Sequence, residues 1–160
     1  MIMFQQNIQE KNNSIQIRPY TPEDFSAIHQ IDQTGHEFPW SETGLSDCLG
    51  LGHYCWVLEK NSEIEAFIIF SIASKESEIW NLCVAPRARR QGHAKLLLKH
   101  VFDFLIEKGV ETMFLEVRVS NKPAQVLYHS LGFNEFSVRK DYYRYHGDTR
   151  EDALVLALTL

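Results

Sequence analysis

Three groups of residues in this 160-residue chain have the types and spacing to do chemistry. The first is Arg89-Arg90-Gln91-Gly92-His93-Ala94, which leaves one strand-like segment and opens an amphipathic helix. A helix N-terminus presents unpaired backbone N–H groups and the positive end of the helix dipole, a combination suited to a pyrophosphate. Gly92 removes a Cβ where the chain must approach the anion, and Ala94 is small for the same reason. Arg87, Arg89 and Arg90 add positive charge at the mouth. Taken alone, the run also fits an ordinary strand-to-helix connection with solvated arginines.

The second is Glu116, mid-strand among apolar neighbours, where a carboxylate is costly without a purpose. Such a group can take a proton from a substrate, face solvent, or pair with Arg118. The third is Tyr128, one turn before the helix-ending Gly132; its phenol can give up a proton or simply pack in the core. Cys83 has the type of a nucleophile, but it lies in an apolar strand with no paired histidine, so a structural thiol is the better reading. Neither the histidines nor Cys48, Cys55 and Cys83 show metal-ligand spacing, and no metal is expected.

The elements that must position these groups follow from periodicity and punctuation. Ile15–Arg18 alternates as a short strand, and Thr21-Pro22-Glu23-Asp24 starts a helix continued by Phe25, Ile28 and Ile31. Phe38-Pro39-Trp40 is a stiff apolar loop before a second helix around Ser41–Leu49. Strands follow at Tyr54–Glu59, Ile64–Ala73 and Glu78–Ala85, the last closed by Pro86. From Gly92, apolar residues from Ala94 to Ile106 recur at helical spacing until Gly109 stops them. Met113–Val119 is a strand and Lys122–Leu131 a helix; Phe133–Arg139 and Ala153–Leu158 are closing strands on either side of the polar stretch Tyr145–Asp152. The order β-α-α-β-β-β-α-β-α-β-β describes one mixed α/β domain over residues 15–160, preceded by a loose polar extension at 1–14.

The net charge of −5 argues against general nucleic-acid binding. No apolar run reaches the length of a membrane span, and the polar start lacks the core of a signal peptide, so a cytoplasmic location is expected.

The turn matches the signature Arg/Gln-x-x-Gly-x-Gly/Ala of the GNAT superfamily of N-acetyltransferases, with Val84-Ala85-Pro86 before it and Leu96-Leu97-Leu98 after it. The order of elements resembles that superfamily from about Ile15 to the C-terminus. The resemblance implies a single GNAT domain with a mixed, mostly antiparallel central sheet flanked by helices, and acetyl-CoA as co-substrate. It implies that the backbones of Leu82, Cys83 and Val84 pair with the pantetheine arm. The turn from Arg89 through Arg90, Gln91, Gly92, His93, Ala94 and Lys95 would hold the pyrophosphate, and Asn121 would touch CoA while capping its helix.

Further segments narrow the resemblance: Leu115-Glu116-Val117-Arg118, Ser120-Asn121, Leu127 through Phe133, Phe38-Pro39-Trp40-Ser41, Lys140-Asp141-Tyr142-Tyr143 and Gly147 through Ala153. They resemble the amino-terminal acetyltransferases, most of all the RimI type, which acetylates the N-terminal alanine of a small-subunit ribosomal protein. That likeness implies Glu116 as general base, Tyr128 as general acid, and Phe38, Trp40, Tyr142 and Tyr143 as acceptor-site walls. The expected partner is a protein N-terminus met by a monomer, with no nucleic acid and no membrane. A lysine side chain or small amine is the alternative acceptor, and a non-catalytic acyl-CoA-binding module the alternative class.

Overall fold

A computed structural model describes residues 14–160; of the expected N-terminal extension, residues 1–13 lie outside the described residues. Seven strands form one sheet: β1 (Ile15–Pro19), β2 (Tyr54–Lys60), β3 (Glu63–Ala73), β4 (Glu76–Val84), β5 (Thr112–Arg118), β6 (Asn134–Arg144) and β7 (Arg150–Thr159). Four helices accompany them: α1 (Phe25–Gly35), α2 (Glu42–Gly50), α3 (His93–Glu107) and α4 (Lys122–Ser130). The strand order is β1-β2-β3-β4-β5-β7-β6, antiparallel throughout except for the parallel pair β4–β5. This is the mixed sheet expected from the sequence.

Alternation along the strands sorts their side chains onto two cores. On β3, Ala66, Ile68 and Phe70 pack towards Leu97, Leu98, Val101 and Leu105 of α3 and Tyr128 of α4. Phe67 and Ile69 face the other way, towards Ile28 and Ile31 of α1 and Leu45 and Cys48 of α2. The buried face of α3 follows the helical period; Ile106, counted in that pattern, is exposed because it lies past the last buried residue, Leu105.

Among the bulges of the sheet, two single-residue ones lie in its middle strands and break the alternation there. On β4, Ile69 pairs with Asn81 but Phe70 with Ile79, so Trp80 is an extra residue. Its effect on the side chains is direct: Ile79 belongs to the α3 core and Cys83 to the α1 core, although they are an even number of residues apart. On β3, Leu58 pairs with Ala66 but Glu59 with Ile64, which leaves Glu65 as the extra residue.

The closing hairpin is longer than its sequence suggests. β6 runs to Arg144, past its expected end at Arg139, and β7 begins at Arg150, so the connection read over Tyr145–Asp152 shrinks to Tyr145–Thr149. Between Arg139 and Tyr143 the register slips, with Asp141 at φ +49°. Asp152 holds the slip, accepting from the Asp141 N–H and the Lys140 Nζ at 2.9 Å each.

Candidate active site

The bulge at Trp80 coincides with the point where the sheet opens. β4 and β5 pair only from Glu76–Thr112 to Ile79–Leu115. Beyond that, Asn81 to Val84 remain paired with β3 on one side and, among the described residues, have no strand partner on the other. A bulged strand bends and twists away from its neighbour, which accounts for the divergence. The free edge of β4 includes Leu82, Cys83 and Val84, where an extended chain can lie as an added strand.

At the end of that edge the chain passes through a short 3-10 turn, Pro86–Ala88, into α3. The first helical bond runs from the Leu96 N–H to the Gly92 carbonyl at 3.0 Å, which leaves the N–H groups of His93, Ala94 and Lys95 without helical acceptors. Arg90 (φ +61°) and Gly92 (φ +79°) both adopt the left-handed conformation, curling the amides around one concavity. A Cβ built on Gly92 meets nothing within 4 Å, so the space in front of the turn is open. Unpaired amides, a helix dipole and open space together fit the pyrophosphate of CoA.

The side chains around the turn are placed differently from expectation. His93 is buried, with Nε2 2.6 Å from Glu65 Oε2, so only its backbone faces the concavity. Arg89 donates to the Gly35 carbonyl at 2.6 Å, binding the end of α1, and Arg87 donates to Glu65 Oε1 at 3.2 Å and to the Ile64 carbonyl. Gln91 accepts from Lys60 Nζ at 3.0 Å. Asn121 caps α4, its side chain accepting from the Ala124 N–H at 3.2 Å. Gly35 lets α1 approach β4 closely, since a Cβ there would lie 2.4 Å from Cys83 Sγ. Burial pushes the Cys83 thiol up to about 12, which keeps it out of thiolate chemistry at neutral pH.

Glu116 and Tyr128 flank the opening from opposite faces. Met113, Leu115 and Val117 of β5 enter the α3 core with Tyr128, so Glu116, between the last two, projects from the other face. There its Oε1 lies 2.8 Å from Arg139 Nε, its side chain keeps 13% of its exposure, and its carboxylate raises the Tyr142 phenol above the ordinary tyrosine range. The partner weighed from sequence, Arg118, is engaged elsewhere, with Glu151 Oε1 at 2.8 Å and the Arg144 carbonyl at 2.9 Å. Glu116 lines a cavity of about 280 Å³ with Glu78, Phe114, Phe136, Ser137 and Arg139. Burial, and then the neighbouring Glu116 charge, raise the Glu78 carboxyl above its ordinary range.

Burial lifts the Tyr128 phenol well above the usual tyrosine range, so it stays protonated at neutral pH. Tyr143 is raised as well, by burial first and then by Glu116, and its phenol lies near enough to Tyr128 to act on it electrostatically. Tyr143 thereby connects the two sides of the opening.

Of the four residues expected as acceptor-site walls, Phe38 and Tyr143 come together around a cation. The Arg118 guanidinium lies 4.1 Å from the Phe38 ring centre and 4.2 Å from that of Tyr143. Phe38 also meets Tyr145 and His146 beyond β6, so the early loop is clasped to the late hairpin. Trp40 does not join this wall; its ring packs against the α1–α2 core. Its backbone N–H donates to Asp32 Oδ2 at 2.8 Å.

Sequence reasoning missed Glu78, Arg139 and a buried network around fully buried Asp32, which also accepts from Asn81 Nδ2 at 2.8 Å. Asn81 Oδ1 in turn lies 2.9 Å from His36 Nε2. The only signal for Asn81 was a polar residue in an apolar strand.

The seven-stranded sheet opening between β4 and β5, with α3 starting at the end of the free edge, is the fold of an acyl-transferring enzyme. The profile of the acetyltransferase (GNAT) family matches residues 16–133, and the chain belongs to that family. Over 137 residues, 86% of this chain and 92% of the relative, it is 41% identical to the ribosomal protein bS18-alanine N-acetyltransferase of Escherichia coli. A crystal structure of the Escherichia coli ribosomal-protein alanine N-acetyltransferase superposes with a TM-score of 0.85 at 39% identity, covering 91% of this chain and 94% of that one. A GNAT acetyltransferase from Elizabethkingia anophelis with acetyl-CoA bound shares the fold, with a TM-score of 0.75 at 22% identity over 94% of this chain and all of that one.

Proposed function

We propose that the chain transfers the acetyl group of acetyl-CoA to the α-amine of a protein N-terminus, the N-terminal alanine of ribosomal protein bS18. The observation that carries this reading is the placement of Glu116 and Tyr128 on opposite faces of the β4–β5 opening. The 41% identity to a bS18-alanine N-acetyltransferase supplies the acceptor.

The chain's residues divide the work by face. The Asn81–Val84 edge and the amides from Arg90 to Lys95 hold acetyl-CoA, with Asn121 beside it. The acceptor amine enters between the Phe38–Arg118–Tyr143 stack and Tyr142, on the face of Glu116. An α-amine has a pKa near ~8 and arrives mostly protonated at neutral pH. Glu116 takes one proton, directly or through water, and the freed lone pair forms the C–N bond; the nitrogen's second proton leaves through water as the adduct collapses and balances the one that Tyr128 gives up. As the C–S bond breaks, Tyr128 gives its proton to the departing sulfur, and backbone N–H groups near Cys83 or Val84 stabilise the carbonyl oxygen. Transfer is direct within a ternary complex, and the enzyme works as a cytoplasmic monomer without a metal.

Incubation with acetyl-CoA and three acceptors tests the reading: a peptide with the bS18 N-terminus, the same peptide N-blocked, and spermidine. Mass spectrometry is expected to find one acetyl group on the α-amine of the free peptide alone. Acetylation of a lysine in the blocked peptide, or of spermidine at a comparable rate, would overturn it.

A further inference from the structure

We propose that Glu65 and His93 form a buried strut that positions the anion-binding turn, so that both residues set acetyl-CoA affinity without touching the ligand. The proposal rests on the reading of that turn as the acetyl-CoA pyrophosphate site.

His93 is the first residue of α3, and its backbone N–H is one of the three left free by the helix. Its side chain turns inward, only 3% of the residue is exposed, and Nε2 meets Glu65 Oε2 at 2.6 Å. Glu65 reaches it because it is the bulge residue of β3, and a bulge re-aims the side chain it carries. The backbone of Glu65 is fixed too, its carbonyl accepting from the Ala85 N–H at 2.8 Å. Its second carboxylate oxygen takes the Arg87 guanidinium at 3.2 Å. One buried carboxylate therefore ties β3, the end of β4 and the first residue of α3 together behind the concavity.

Among the described residues, Nε2 is the ring nitrogen of His93 that meets a partner. With its hydrogen on Nε2 donated to Glu65, the carboxylate keeps Arg87 as a second donor on its other oxygen. The histidine side chain thus acts as a spacer between Glu65 and the first residue of α3.

Calorimetric titration of acetyl-CoA into the whole protein and its variants tests this, with steady-state kinetics alongside. His93→Leu keeps the volume and removes the donor; it is expected to weaken acetyl-CoA binding about tenfold. His93→Gln keeps a donor for Glu65 and is expected to bind within about threefold of wild type. Adding Glu65→Leu to His93→Leu replaces the polar pair with an apolar one and should recover most of the loss. In all three, kcat at saturating acetyl-CoA and KM for the peptide stay as in wild type, which general destabilisation would not give. If His93→Leu binds acetyl-CoA as tightly as His93→Gln, or raises the peptide KM equally, the strut is wrong. Variants matching a wild type that binds well overturn the strut alone; a wild type that binds no acetyl-CoA overturns the functional reading with it.

Discussion

The turn proposed to bind the CoA pyrophosphate and the edge proposed to receive the acceptor are built on opposite principles. The turn is made of backbone: free N–H groups of α3 and two left-handed residues within three positions of each other, with side chains such as His93 and Arg89 turned away. The acceptor edge is made of side chains from segments far apart in sequence, held by the Arg118 sandwich between Phe38 and Tyr143 and by the Glu116–Arg139 pair. A backbone site tolerates changes of residue type but not of conformation. A side-chain site tolerates small backbone shifts but not the loss of a functional group.

That contrast is open to attack from both sides. Among the side chains assigned to proton transfer, Glu116→Gln on the acceptor face is expected to lower kcat by about a hundredfold or more, and Tyr128→Phe on the opposite face by at least about tenfold, with acetyl-CoA affinity unchanged in titration. A fall in affinity matching the fall in rate would erase the distinction. Between the two regions, Gly35→Ala forces a Cβ to 2.4 Å from Cys83 Sγ, in the core beneath both. It should cost about 1–3 kcal/mol in denaturant unfolding, and adding Cys83→Ala should recover most of that.

On the turn side, Gly92→Ala places a side chain in open space but at φ +79°. It should weaken acetyl-CoA binding about fivefold, from about 1 kcal/mol of backbone strain, with kcat at saturation retained. The smallest effect lies outside both sites. Arg18 holds the Asp24 carboxyl below its ordinary range through hydrogen bonds at 2.7 and 2.9 Å. A folded-state value below the unfolded one means stability that is present above about pH 4 and lost as pH falls through the lowered value. Asp24→Asn should therefore be less stable than wild type at neutral pH, with the gap closing in acid unfolding curves.

What the sequence disclosed and what it hid separate along similar lines. Element order and type were legible because α3, β3 and β5 carry strong local periodicity, and the turn was legible because Gly92 marks a backbone conformation. The bulges at Glu65 and Trp80 were not, since a bulge is a property of two paired strands and leaves no mark on either alone. Glu116 pairs with Arg139 rather than Arg118 because β6, opposite β7 at Arg139–Ala153, brings Arg139 to it while Glu151 takes Arg118, and neither strand pairing is written in β5 alone. Likewise, the inward aim of His93 depends on a carboxylate 28 positions earlier. The strand ends at Arg144 and Arg150 were hidden because charged residues near a loop read as loop until a neighbouring strand pairs with them.

The two extra residues also make chain length itself a determinant of activity. Deleting Trp80 would leave Ile79 and Cys83 on opposite faces by ordinary alternation, but it would straighten β4 and remove the bend beside which the sheet opens from β5. Deleting one at Glu65 would remove the strut and straighten β3 together. In these two strands, counting residues is as informative as naming them, and a one-codon loss is a more severe change there than most substitutions.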